Sequence, residues 1–142
     1  MRNSYLRIVM ILLILISSSF LVACSSGARS GKAENAPAVT KEKINGTDLS
    51  RLTLTAKAAE RLGIQLAAVA NNAVPYSAVL YGLNGKTFVY TSPEPLIFVR
   101  APIVVERIEG GRAVLVEGPP SGAAVVTVGA AELYGVEFGV GK

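Results

Sequence analysis

The sequence contains no histidine, no tryptophan and a single cysteine among its 142 residues. A lone thiol cannot form an internal disulfide, so the fold must be stabilised without one. Both methionines, Met1 and Met10, lie at the N-terminal end. Imidazole, free thiolate and thioether are the ligands that zinc and copper prefer, and the rest of the chain is nearly devoid of them. We therefore expect no metal site and no cofactor.

The chain also lacks a concentrated charge of either sign. Its formal net charge is +4, and two of the cations, Arg2 and Arg7, lie within the first ten residues. The other lysines and arginines are scattered, without the basic run or aromatic-interleaved stripe that binding to nucleic-acid phosphates requires. Nucleic acid is therefore not expected as a partner.

The N-terminal segment has the organisation of an export signal. Arg2 and Arg7 provide the positive start, residues 8–16 form an apolar run, and serines precede Leu21-Val22-Ala23-Cys24. Residues 8–23, which include three serines, make a stretch shorter than the roughly 20 apolar residues that a membrane-spanning helix needs. The tetrapeptide resembles the lipobox of bacterial lipoproteins, which implies cleavage before Cys24 and diacylation of its sulfur. We predict a signal peptide over residues 1–23 and lipid attachment at Cys24, outside the cytoplasm.

Residues 24–49 are rich in small, polar and charged side chains. Such a composition cannot bury enough apolar surface to fold, so we predict a flexible tether. Two segments resemble the glycine-rich phosphate-binding loop of nucleotide-binding proteins. In residues 27–32 the two glycines are one residue closer than this motif requires. Residues 82–87 lack the first glycine of the motif and continue into a strand-like run. Because a phosphate loop must open a helix, we interpret them as tether and hairpin turn.

Residues 50–142 are predicted to form a mainly β domain, a small antiparallel sheet or barrel with one short helix. Thr55 can cap a helix that runs through Leu62 and ends at Gly63. The segment around Asn84-Gly85 indicates a hairpin. The run Ile103-Val104-Val105 suggests a strand buried on both faces, and residues 129–142 are left unassigned. The predicted strands are residues 52–55, 64–69, 77–81, 87–91, 96–100, 103–108, 112–116 and 124–128, with turns at residues 92–95, at Pro102, at Gly110-Gly111 and at residues 118–122.

The order of these segments resembles a known family. The matching stretches are residues 52–64, 74–80, 85–90, 98–104, 111–118 and 122–130. Together they resemble the membrane-proximal domain of the periplasmic adaptor subunits, or membrane-fusion proteins, of resistance-nodulation-division (RND) efflux pumps. In full adaptors a barrel, a lipoyl-like domain and an α-helical hairpin occupy the position that only residues 70–73 fill here. The resemblance implies an isolated membrane-proximal module.

We therefore expect a non-catalytic envelope lipoprotein that docks on an RND-type transporter or a related adaptor. The resemblance favours a location at the outer face of the cytoplasmic membrane, and the outer membrane is the alternative location. An enzyme is less consistent with the sequence, because Glu94, Glu106, Glu109 and Glu117 show no acid–base pairing and are expected at solvated positions. The alternative is a structural or small-ligand-binding envelope lipoprotein. The candidate residues for an apolar pocket in such a protein are Tyr76, Tyr81, Phe88, Tyr90 and Phe98. Aromatic residues of this kind are more often core residues or cross-strand pairs.

Overall fold

The computed structural model describes residues 37–139. The predicted signal peptide, Cys24 and the loop-like segment at residues 27–32 lie outside the described residues. The mainly β prediction is confirmed. The strands are β1 Val39–Lys43, β2 Ser50–Leu54, β3 Gln65–Ala68, β4 Ala73–Pro75, β5 Leu80–Tyr81, β6 Thr87–Glu94, β7 Ile97–Glu109, β8 Arg112–Glu117 and β9 Ala124–Val128. The helices are α1 Ala56–Arg61, a 3-10 turn at Tyr76–Ala78 and α2 Ala130–Phe138.

The strands form one open antiparallel sheet. Its main path has the order β1-β2-β7-β6-β9-β3, while β8 pairs with β7 and β4, and β5 pairs with β6. The predicted break at Pro102 is wrong, because β7 runs through it. The last pair between β2 and β7 joins Arg51 to Val99. The strand β2 therefore does not extend alongside Pro102, so no hydrogen bond to β2 is lost because proline has no backbone N–H, and a proline is tolerated there.

The folded domain starts earlier than predicted. Residues 39–43 lie within the range predicted as tether, yet they form β1, which pairs with β2 from Val39 opposite Leu54 to Lys43 opposite Ser50. Four of the five β1 residues are exposed. Backbone pairing therefore orders this strand, and an argument from side-chain burial alone does not detect it.

The local turn and capping signals are confirmed. The Thr55 hydroxyl accepts a hydrogen bond from the Ala58 N–H at 3.2 Å and caps α1, and Gly63 follows the helix with φ of 60°. Residues 82–86 form the β5–β6 connection, and Thr87 begins β6. Within it the Lys86 N–H donates to Asn84 Oδ1 at 3.1 Å, and Gly85 adopts the positive φ that the turn requires.

Four details differ from the sequence prediction. Residues 76–78 form a 3-10 turn, which leaves only Leu80–Tyr81 as strand. The strand β6 continues through Pro93 to Glu94, and the turn falls at Leu96, whose φ is +64°. Val104 is exposed, so β7 is not buried on both faces there. The unassigned segment forms a second helix, α2.

The sheet has an apolar cluster on each face. One cluster packs beneath α1 and α2 and contains Leu52, Leu54, Phe88, Tyr90, Phe98, Val126 and Leu133. The other contains Val69, Val74, Val89, Ile103, Ala113, Leu115 and Val125. Neighbouring residues of β6 and β9 thus enter opposite clusters, which makes these two strands the centre of the core. Neither helix within residues 37–139 is long and apolar enough to cross a bilayer.

Candidate functional site

The most unusual buried residue is Glu137, whose side chain is only 3 % exposed. The helix α2 packs against β2, β6 and β9. Its buried positions are Ala130, Leu133 and Glu137, spaced as one face of a helix. A carboxylate therefore occupies a position where this face otherwise presents apolar side chains, and such a group needs hydrogen-bonding partners.

Two neighbouring strands supply those partners. Tyr90 on β6 and Arg100 on β7 are directly opposite each other, so their side chains share one face of the sheet. The Tyr90 hydroxyl donates to Oε2 of Glu137. Arg100 donates to Oε1 from Nε at 3.3 Å and from Nη2 at 3.2 Å. These three residues form the Arg100–Glu137–Tyr90 cluster.

The cluster fixes the protonation of its tyrosine. Tyr90 is fully buried, and the loss of hydration together with its bond to the Glu137 carboxylate raises the pKa of Tyr90 well above its ordinary value. The hydroxyl therefore remains a hydrogen-bond donor throughout the neutral range. Every buried side-chain nitrogen and oxygen within residues 37–139 has a hydrogen-bond partner, so the cluster satisfies its own polar groups.

Arg100 connects the cluster to an aromatic surface. Its Nη2 also donates to the Asp48 backbone oxygen at 3.1 Å. The guanidinium carbon lies 5.3 Å from the Phe88 ring centre and 5.1 Å from that of Phe138, within range of a cation–π interaction. Tyr134 stacks between these rings, with centres 5.6 Å from Phe88 and 4.5 Å from Phe138.

These aromatic rings line an open cleft of about 580 Å³. The β5–β6 hairpin forms one wall with Leu83, Asn84 and Lys86, and the β1–β2 turn contributes Asp48 and Leu49. Leu83, near the tip of the hairpin, is fully exposed. The volume falls within the range of small-molecule sites, roughly 300–1,000 Å³.

Only one of the five aromatic residues predicted for a pocket lines this cleft. Phe88 does so, whereas Tyr90 and Phe98 are buried in the core. Tyr76 and Tyr81 are exposed and do not line the cleft, and their hydroxyl oxygens are 3.4 Å apart. The five rings therefore do not share one pocket, because the strand pairing directs them into different environments. The other interpretation, that they are core residues, is confirmed for Phe88, Tyr90 and Phe98.

The structure places the four carboxylates considered for acid–base chemistry on the surface, as expected. Glu94, Glu106, Glu109 and Glu117 are all exposed. Glu106 and Glu109 bind Arg107 on the surface, with N–O distances of 2.9 and 3.2 Å. Within residues 37–139, no three acidic, cysteine or histidine side chains come close enough to hold a metal ion.

The residues that build the cleft were mostly not identified from the sequence. Arg100, Tyr134, Glu137 and Phe138 were not singled out as site residues. A usable signal was present: Gly129 and Gly139 enclose a segment whose Leu133 and Glu137 are four residues apart, as one helix face requires. The chain matches no protein-family model, no curated protein and no solved structure.

Proposed function

We propose that this protein is a non-catalytic lipoprotein of the cell envelope, anchored through Cys24, that docks as an accessory module on an RND-type efflux transporter or a related adaptor. The lipobox at residues 21–24 and the adaptor-like order of segments support this proposal. The Arg100–Glu137–Tyr90 cluster favours docking over catalysis, because its carboxylate is already bound by two donor side chains of the domain itself.

The observation that carries docking is the apolar surface of the β7–β8 hairpin. Val104 on β7 lies opposite Glu117 of β8, next to Val116, and these two valines are 47 % and 61 % exposed. Ile108, which is 52 % exposed, lies further along β7, opposite Ala113. Neighbouring exposed apolar side chains mark surfaces that bind other proteins more often than isolated ones do. We assign this hairpin as the surface that contacts the transporter or adaptor.

The docking experiment compares two valine substitutions. The tagged chain is captured from membranes in mild detergent, and co-purifying membrane proteins are identified by mass spectrometry. We expect an RND-type transporter or adaptor subunit with the unsubstituted chain, and its loss with Val116→Asp. The matched control is Val128→Asp on β9, which changes a similarly exposed valine outside the hairpin. Recovery of neither protein class by the unsubstituted chain would refute the docking proposal.

The anchor is tested separately. Cys24→Ala should abolish incorporation of labelled fatty acid and release the chain from washed membranes, whereas Ser25→Ala should do neither. Several buried acyl chains contribute about 0.8 kcal/mol per methylene, which explains why one residue can decide membrane retention. Unchanged acyl labelling of the Cys24→Ala chain would eliminate the proposed attachment site.

The cleft supports a second candidate function, binding of a small apolar ligand. Its volume of about 580 Å³ and its three aromatic rings suit such a molecule. Native mass spectrometry of the purified chain should then detect a bound compound that disappears in Tyr134→Ala. A chain without bound compound in both forms would count against this candidate and leave docking unaffected.

A further inference from the structure

The cleft and its rim combine apolar exposure with positive charge. Leu83 at the hairpin tip is fully exposed, and Phe138 at the end of α2 is half exposed. Both line the same cleft, together with the less exposed Leu49. A single exposed leucine is ordinary, but three large apolar side chains around one opening form a continuous apolar surface.

The charges on this face do not cancel. Lys86 lines the cleft, and Lys41 and Lys43 stand opposite Leu52 and Ser50, on the sheet face that α2 covers. Lys41 also donates to the Glu137 backbone oxygen at the end of α2. Arg100 and Glu137 neutralise each other.

Among the residues that line the cleft, Asp48 provides the carboxylate. A further acidic residue of α2, Glu132, belongs to the first turn of the helix, about 9 Å along its axis from Phe138. The face therefore carries an excess of positive charge next to exposed apolar side chains.

We propose that this face, defined by Leu83, Phe138, Lys41, Lys43 and Lys86, lies against the anionic phospholipid surface of the membrane that holds the lipid anchor. The inference rests on the proposed function only because the anchor places the domain beside a bilayer. Leu83 and Phe138 enter the headgroup region, and the lysines contact lipid phosphates. Each lysine near an anionic surface strengthens such binding by about fivefold.

The length of chain before the domain makes this contact effective. Residues 25–36 separate the predicted anchor from the first described residue. Even fully extended, that segment spans no more than about 45 Å. The domain is thus held close to the bilayer at a high effective concentration, so a face with modest affinity for lipid is sufficient to orient it.

The test measures how deeply the hairpin tip enters the bilayer. The acylated full chain carries either Leu83→Cys or Glu94→Cys, labelled with a fluorescent thiol reagent and reconstituted into vesicles. Glu94 is the matched position because it is exposed at the opposite end of β6, roughly 23 Å along the strand from Thr87. The vesicles contain equal parts of phosphatidylglycerol and phosphatidylcholine, or phosphatidylcholine alone.

In anionic vesicles we expect iodide to quench the label at position 83 several-fold less than the label at position 94. We expect this protection to decrease in neutral vesicles and in Lys86→Glu, but not in Lys57→Glu, which changes an exposed lysine of α1. Equal quenching at the two positions in anionic vesicles would overturn the proposal. Protection of the same size in anionic and in neutral vesicles would also overturn it. So would protection that the same labelled chains show in native membranes but not in vesicles, because a protein would then cover this face.

The same preparation separates this inference from the proposed function. The unsubstituted chain contains only Cys24 as a thiol. If it takes the thiol label, Cys24 is not acylated and the anchor fails, whatever happens at position 83. Loss of transporter recovery likewise concerns the β7–β8 hairpin and not the cleft.

Discussion

Removing Arg100 should destabilise the domain more than removing Glu137, because the two partners of the ion pair differ in their access to water. The Glu137 side chain is 3 % exposed and that of Arg100 is 20 % exposed. In Arg100→Met the carboxylate keeps only the Tyr90 hydroxyl as a side-chain donor. Breaking a buried ion pair in this way costs about 3–5 kcal/mol of unfolding free energy.

The reverse substitution leaves a better-supported charge. In Glu137→Leu, Arg100 still donates to the Asp48 backbone oxygen, lies against Phe88 and Phe138, and reaches the water of the cleft. The group left without its partner is the buried Tyr90 hydroxyl, which is neutral, so we expect a loss of about 1–3 kcal/mol. Methionine at position 100 retains most of the apolar stem, so the comparison reports mainly on charge.

Urea unfolding of the purified chain in mild detergent, followed by near-ultraviolet circular dichroism of the tyrosines, measures these differences. The double variant Arg100→Met/Glu137→Leu should be more stable than Arg100→Met alone, because it no longer buries an unpaired carboxylate. Arg107→Met, which removes an exposed ion pair, is the control and should leave stability nearly unchanged. The reasoning is refuted if Glu137→Leu costs as much as Arg100→Met, or if the double variant loses the sum of the single losses.

Three other perturbations test separate parts of the fold. The raised pKa of Tyr90 means that the native state keeps a proton that the unfolded chain releases above about pH 10. Thermal melts should therefore show full stability below that pH, then a loss of up to about 1.4 kcal/mol per pH unit above it from Tyr90, and the loss should be smaller in Tyr90→Phe. Gly129→Ala should lower the urea midpoint by more than Gly139→Ala, since both have positive φ but only at position 129 would the new methyl group collide with Ile64; equal losses would contradict this. Thr55→Ala should cost about 1 kcal/mol by removing the α1 cap and Thr55→Asn much less, measured by the same unfolding; equal effects would exclude capping.

Features that depend on neighbouring residues were predictable from the sequence. The cap at Thr55, the helix end at Gly63 and the Asn84-Gly85 hairpin each follow from conformational preferences within a few residues. The strand-like run Phe88-Val89-Tyr90 indicated a strand, because aromatic and β-branched residues favour one. It did not reveal that both faces of β6 are buried, because that depends on which elements cover the sheet.

Features that join distant residues were not predictable in the same way. The bond from Tyr90 to Glu137 spans 47 positions, and that from Arg100 to Glu137 spans 37. These contacts exist only after β6 and β7 pair in register and α2 packs across them. Nor does the composition of residues 39–43 indicate a strand, since β1 depends on the backbone of β2.

The origin of the cleft also limits what the adaptor resemblance can explain. That resemblance covers roughly residues 50–134, whereas Lys41 and Asp48 precede this range and Glu137 and Phe138 follow it. Both flanking segments are needed for the face, because Lys41 contacts the end of α2 and Arg100 bonds to Asp48 and Glu137 together. A segment limited to residues 50–134 could pair its central strands but would lack the groups that hold Arg100 over Phe88. The lipid-facing role proposed for the cleft therefore depends on residues outside the resemblance, and the docking role of the β7–β8 hairpin can be tested independently of it.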